Sequence, residues 1–220
     1  MIDPKLNIGL GEQLTDILRM RIVGGQLQNG LKLTETAIAS EFGLSRAPVR
    51  EAFRNLEYEG LLDITKQGAV VKVLTEKEVN EFYNVRYMLE SFALSHLPSE
   101  GREQIIRYLE TSVDRMELAL GHKDADEFTA QDIAFHTKAF EVIDHKFIKL
   151  FWSNIDKLCR AILIVGTRRQ FDKGEFEYKR QVVDKHRQIV AALKEGNNEE
   201  VLAALRNHFH YNSWIDKKEF

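Results

Sequence analysis

Two sets of residues in this chain have the types and spacing to do chemistry. The first is Arg46, Arg50 and Arg54, three guanidiniums each four residues apart. At 100° per residue they cover about 80° of a helix surface. Val49, Ala52, Phe53 and Leu56 repeat at i, i+3, i+4 and i+7 in the same segment and form an apolar face. The arginine row is centred roughly 120° from that face, so a helix docked on its own domain would project the row outward. Like charges at i,i+4 weaken a lone helix. The row therefore suits an anionic partner, phosphates or guanine edges; a solvated face balanced by Glu51 and Glu57 is the alternative. The second set is Asp132, His136, His186 and His208. Asp132 and His136 are i,i+4 and share a helix face. Ile133, Phe135 and Phe140 flank them, Ile189 and Val190 follow His186, and Leu205 and Phe209 flank His208. One carboxylate and three imidazoles converging from three helices suit a divalent transition metal such as Zn²⁺. A single histidine is more often a surface or hydrogen-bonded residue, but an unpaired imidazole among apolar neighbours is costly.

The elements that must position these residues can be read around them. Residues 10–24 are apolar at helical spacing and stop at Gly24-Gly25; Asn29-Gly30 marks a turn. Thr34 caps a short helix to about Phe42, and Gly43 ends it. Ser45 caps a third helix that carries Pro48 in its first turn and ends near Glu59-Gly60. Leu62, Ile64, Val70, Val71 and Val73 are β-formers, broken by Lys66-Gln67-Gly68, which predicts a two-stranded hairpin. Helix, helix, turn, helix, hairpin is the order of a winged helix-turn-helix, with Lys66, Gln67 and Gly68 at a wing tip that could meet DNA.

Beyond residue 75 the pattern is helical throughout, with spans near 76–97, 101–120, 124–143, 146–170, 175–195 and 198–215. The expected fold is mainly α: an N-terminal winged helix-turn-helix over 1–75 and a C-terminal all-α bundle over 76–220. Arg86 falls within the apolar stripe of Val79, Phe82, Tyr83, Leu89 and Ala93, so it should point inward. It could there meet a ligand carboxylate, or pair with an acid such as Glu90 and hold the bundle together. His210 lies two residues past His208 and should point away from it.

The chain has 220 residues, 44% of them hydrophobic and 30% charged, which fits a globular protein of one or two domains. Net charge is −3. Residues 1–75 hold nine Lys/Arg and nine Asp/Glu, so the balance neither requires nor excludes nucleic acid. The single cysteine, Cys159, lies in an apolar run and reads as a buried, inert thiol. No stretch approaches the roughly 18 apolar residues of a membrane span. A cytoplasmic location with no membrane contact is expected. An open metal could activate water. The chain has no H-E-x-x-H motif and no second carboxylate placed as a base, so an enzyme is not expected.

Leu33 to Leu62 (LTETAIASEFGLSRAPVREAFRNLEYEGLL) resembles the helix-turn-helix signature of the GntR family nearly throughout. Ile38, Leu44 and Phe53 depart from it, apolar for apolar. Asp132–His136, His186–Leu193, Gly196-Asn197 and His208 stand in register with the pattern of the FCD domain, which marks the FadR-like subgroup. The resemblance implies a transcription regulator, usually a repressor, that binds double-stranded palindromic operator DNA as a homodimer. It places Ser45, Arg46 and Arg50 at DNA-contacting positions and Gly68 at the wing tip. Some relatives carry a base-contacting arginine where this chain has Thr36. The resemblance further implies a divalent metal on Asp132, His136, His186 and His208, Zn²⁺ first, with Ni²⁺ or Mn²⁺ as alternatives. A small carboxylate metabolite would bind beside it, and Arg86 matches a family arginine that such an effector could meet.

Overall fold

The computed structural model describes residue 2 and residues 8–211, with residues 210 and 211 described by their backbone alone. The chain forms two compact units, Met1–Thr75 and Glu76–Phe220.

Unit 1 contains α1 (Leu10–Val23), β1 (Lys32–Leu33), α2 (Glu35–Phe42), α3 (Arg46–Tyr58), β2 (Leu62–Thr65) and β3 (Gly68–Val71). Its core forms where α1 packs on α3. Leu14, Leu18 and Ile22 of α1, and Val49, Ala52 and Leu56 of α3, are fully buried. Burying each of the leucine, isoleucine and valine side chains stabilises by about 1.5–3 kcal/mol. Arg19 is buried on the same seam. Its Nε and Nη2 donate to the two carboxylate oxygens of Glu59 just past α3, both at 2.6 Å. Thr34 caps α2 by accepting from the Ala37 N–H at 3.2 Å, and Gly43 ends that helix at φ 65°. Ser45 occupies the cap position of α3, but its side chain makes no capping bond. The expected Ser45 cap is thus positional only, and the hydroxyl stays on the exposed side of the helix start.

The expected two-stranded hairpin is a three-stranded antiparallel sheet, order β1-β3-β2. Lys32 pairs with Val70 and Leu33 with Ala69, while β2 pairs with β3 from Leu62↔Val71 to Thr65↔Gly68. A two-residue strand has no periodicity to read, so β1 is set by its partners. Gly30 N–H donates to the Val71 carbonyl at 2.8 Å, and Val71 N–H to the Leu31 carbonyl at 2.9 Å. Gly68 also gains a steric reason. It sits at φ 133°, and a Cβ there would lie 2.2 Å from the Leu33 carbonyl oxygen.

Unit 2 is helical: α4 (Glu76–Ser95), α5 (Arg102–His122), α6 (Ala125–Val142), α7 (Lys146–Asp172), α8 (Phe176–Glu195) and α9 (Asn198–Tyr211). These match the six expected spans to within a few residues, except that the expected extension of the last helix to 215 lies outside the described residues. Asp124 caps α6 by accepting from the N–H groups of Asp126 and Glu127. Packing of α4 on α9, of α6 on α4, α5 and α7, and of α8 on α5 and α9 closes the bundle. Leu109, Met116, Phe128, Phe135, Ile189, Leu193 and Leu205 form its centre. Cys159 is buried as expected, and burial raises its pKa to about 12. Among the described residues, no helix is long and apolar enough to cross a membrane.

The Gly68 geometry makes a prediction. Gly68→Ala should separate β1 from β3 and cost about 1–3 kcal/mol in urea unfolding. Gln67→Ala, one residue away and exposed, should stay within about 0.5 kcal/mol of wild type.

Candidate functional site

The first candidate surface lies in unit 1. Docking of the apolar face of α3 leaves Arg46, Arg50 and Arg54 exposed. With Lys66, Gln67 and Gly68 of the wing they line one groove of about 510 Å³, floored by Phe53 and Ile64. Six of the seven residues expected to meet DNA therefore share a single concavity. Ser45 is exposed at the start of α3 but does not line it. Glu35 enters the same groove, a contribution the sequence reading missed. The Arg50 Nε donates to both its carboxylate oxygens, at 3.0 and 2.9 Å. Arg50 remains 57% exposed, so this pair is worth little as stability. It places a carboxylate beside one guanidinium of the row. Thr36, where some relatives carry an arginine, also lines the groove.

The second candidate is the centre of unit 2. The i,i+4 spacing on α6 brings Asp132 and His136 inward, and the apolar faces of α8 and α9 bring in His186 and His208. All four are buried, none more than 5% exposed. One ring nitrogen from each histidine lies within 4.8 Å of the others. His136 Nε2 and His186 Nε2 are 3.1 Å apart, and Asp132 Oδ1 is 3.0 Å from His186 Nε2 and 3.4 Å from His136 Nε2. The side chain of His210 lies outside the described residues.

The far sides of two imidazoles are fixed. His186 Nδ1–H donates to the Val182 carbonyl at 2.8 Å, which fixes the ring with its Nε2 aimed into the cluster. His136 Nδ1 is 2.5 Å from Glu90 Oε2 on α4, and Glu90 Oε1 accepts from Arg86 Nε at 2.6 Å. A carboxylate behind a ligating histidine is the usual way to orient the ring and raise its basicity. Arg86 thus turns inward as expected, and its Nε engages the acid that was the alternative to a ligand. Its Nη2 is buried with no hydrogen-bond partner among the described residues, and its guanidinium carbon lies 5.3 Å from the centre of the Phe209 ring.

Electrostatics divide the cluster. Burial raises the Asp132 pKa, but the imidazoles of His136 and His186 outweigh it and hold the carboxyl well below its usual range. Burial lowers His136, and the Glu90 charge together with hydrogen bonding to Asp132 and Glu90 more than reverses this. Burial, aided by the charges of His186 and His136, pushes His208 well below the ordinary histidine range and keeps it neutral. Asp132 Oδ1 is buried close to two imidazoles yet accepts no aligned hydrogen bond among the described residues. A neutral imidazole, two imidazole Nε2 atoms and an orphaned carboxylate oxygen facing one point fit a divalent cation, with every donor able to offer a lone pair.

The sequence reading also missed Lys179. It stands seven residues before His186 on α8, hence on the same face, and is 5% exposed. Two-turn spacing from His186 was the available signal.

A wing and an outward arginine row on one unit, in a chain whose other unit is all-helical with a buried histidine cluster, define the class of DNA-binding transcription regulators. Residues 10–71 match the gntR family of bacterial regulatory proteins and residues 81–211 match the FCD domain; the chain belongs to the GntR family, with an FCD domain as its helical part. It is 34% identical over 192 residues to the gluconate operon transcriptional repressor of Bacillus subtilis (strain 168), covering 87% of this chain and 79% of that protein. It is 26% identical over 200 residues to the HTH-type transcriptional repressor RspR of Escherichia coli (strain K12), covering 90% and 85%. The fold resembles E. coli McbR/YncC at TM-score 0.68 and 20% identity, over 93% of this chain and 95% of the other. These relatives and both domains are those of transcription regulators, not enzymes.

The buried acid behind His136 sets a prediction. Glu90→Gln leaves Arg86 buried without its counter-charge and should cost about 3–5 kcal/mol in urea unfolding at neutral pH. Although burial raises the Glu90 pKa, Arg86 and His136 bring it below its ordinary value of 4.5. Its contribution is therefore complete above that value and disappears as pH falls through the lowered one. Acid unfolding curves should show this loss in the wild type and not in Glu90→Gln.

Proposed function

We propose that this protein is a metabolite-responsive repressor that binds a palindromic operator as a homodimer. A small organic acid, held beside a divalent metal in unit 2, modulates that binding. The observation that carries the reading is the convergence of Asp132, His136, His186 and His208 on one buried point in a bundle whose sister unit is a DNA-reading head. Asp132, His136, His186 and His208 are the proposed ligands, with Zn²⁺ favoured by the three imidazoles and one carboxylate. When bound, the metal supplies a Lewis-acid contact for an anionic ligand. Arg86 has two parts in this reading: Nε fixes Glu90 and so the His136 ring, and Nη2 is the donor left for the effector carboxylate. The name of the gluconate operon relative favours a sugar acid as that carboxylate.

On DNA, Arg46, Arg50, Arg54, Lys66 and Gln67 contact phosphates or base edges in the groove, Ser45 contacts a phosphate at the start of α3, and Gly68 shapes the wing. Operator binding as a dimer requires two reading heads about 34 Å apart. Phe147, Leu150 and Phe151 on α7 support self-association, since all three are about half exposed and share one helix face. Effector binding then shifts the population between arrangements with different spacing of the heads, provided it favours one of them.

Three measurements test this. Arg50→Ala should weaken binding to the promoter fragment of the chain's own operon by about 10- to 100-fold, and lower the slope of log affinity against log salt by about one. Unchanged affinity and slope would sink the DNA reading. Metal analysis should find one divalent ion per chain in the wild type and less in His186→Ala; equal, negligible content in both overturns the metal reading. Metal affinity should fall as pH drops. The raised His136 holds its proton to a pH above the ordinary 6.5, and that proton must leave before Nε2 can bind.

A further inference from the structure

Beside the metal-ligand cluster lies a second polar group that the functional reading does not use. Lys179 is 5% exposed, and its Nζ donates to Thr167 Oγ1 on α7 at 3.0 Å. Thr167 is itself 2% exposed. The ammonium also lies 5.0 Å from the centre of the Phe128 ring. An ammonium has three donors, and Thr167 Oγ1 is the one hydrogen-bond acceptor this one has among the described residues. Burial lowers its pKa to about 8, with the charges of Asp132 and Glu175 opposing. Lys179 and Thr167 line a cavity of about 30 Å³ together with Tyr83, Gln170, Tyr178 and Asp132. Asp132 therefore belongs both to the cluster and to the wall of this cavity. That volume admits one water-sized group, which is too small for a whole metabolite and large enough for one oxygen function of a larger ligand.

We infer that Lys179 and Thr167 form a second subsite of the effector pocket, which takes an oxygen function, hydroxyl or carboxylate, at the end of the ligand remote from its metal-facing carboxylate. This rests on the effector reading above and narrows it. The effector is a polyfunctional acid, such as a sugar acid or dicarboxylic acid, rather than a simple fatty acid. The physical reason is that a buried ammonium with donors in excess gains from an incoming oxygen and gains nothing from a methyl group. Thr167 completes the subsite because its hydroxyl can donate to the same oxygen while accepting from Lys179.

The test uses the full-length, Zn²⁺-loaded protein, with gluconate, malate and hexanoate as probes, read by calorimetric titration and thermal shift. Wild type should bind gluconate or malate at least about tenfold more tightly than hexanoate. Lys179→Met removes a buried ammonium at nearly constant length, so its melting temperature should equal or exceed that of wild type. Its affinity for the polyfunctional acid should fall about 10- to 100-fold, with hexanoate unchanged. Thr167→Val should give a smaller loss in the same direction. Wild-type affinity for gluconate and malate in Lys179→Met overturns the subsite and leaves the effector site standing. Loss of all three acids alike in that variant also overturns it, because the effect is then not on the remote end. No response of the wild type to any of the three overturns the effector reading and the subsite with it.

Discussion

A charge in the middle of a helical bundle must be answered by another charge or by a ligand, because taking an ion out of water costs several kcal/mol even after the protein relaxes. Unit 2 is organised around that constraint. Arg86 and Glu90 are at most 1% exposed, and the cluster of Asp132, His136, His186 and His208 is nearly as deep. Arg86 answers Glu90, Glu90 answers His136, and His136 with His186 answers Asp132. Each link crosses between turns or between helices, so α4, α6 and α8 are held in one register by electrostatics as well as by apolar packing. A slip of α4 by one turn would carry the Arg86–Glu90 pair away from α6 and leave His136 without its acid.

The chain of contacts also explains why the histidines are not equivalent. His136 faces an acid on each side and holds its proton. His208 faces imidazoles and is kept neutral. His186 is fixed by a backbone carbonyl one turn behind it. The arrangement is complete on its outer side and incomplete at its centre, where the Asp132 Oδ1 has no aligned hydrogen-bond donor among the described residues. A bundle core that only needed filling would use apolar side chains, which carry no desolvation cost. Polar groups that are supported from behind and open toward one point are what the proposed metal site requires.

Unit 1 follows the opposite rule. Its charges face outward, where water screens them and ion pairs such as Arg50–Glu35 are weak. Weakness is useful there, since a pair that is easily exchanged for a phosphate does not obstruct binding. The buried Arg19, paired with Glu59, is turned inward and clamps α1 to the end of α3, so the helix that carries the arginine row is firmly seated even though the row itself is loosely held.

Local pattern was sufficient to place the helices, the apolar face of α3, the arginine row, the wing residues and the inward histidines, because helical periodicity puts residues three and four apart on one face wherever the helix lies. The family resemblance added, as expectations, the palindromic operator, the homodimer and a carboxylate effector beside the metal. Sequence did not reveal β1, since a two-residue strand exists only through its bonds to β3, nor the tight approach of Leu33 that excludes a side chain at Gly68. It left Arg86 between a ligand and Glu90: the i,i+4 spacing on α4 puts the acid within reach, but only the packing of α4 against α6 sets His136 on the other oxygen of that acid. It was silent on Lys179 meeting Thr167, twelve residues apart across two helices. Periodicity fixes the side of a helix a residue occupies; only packing fixes what stands opposite, and the pairing of buried charges is decided there.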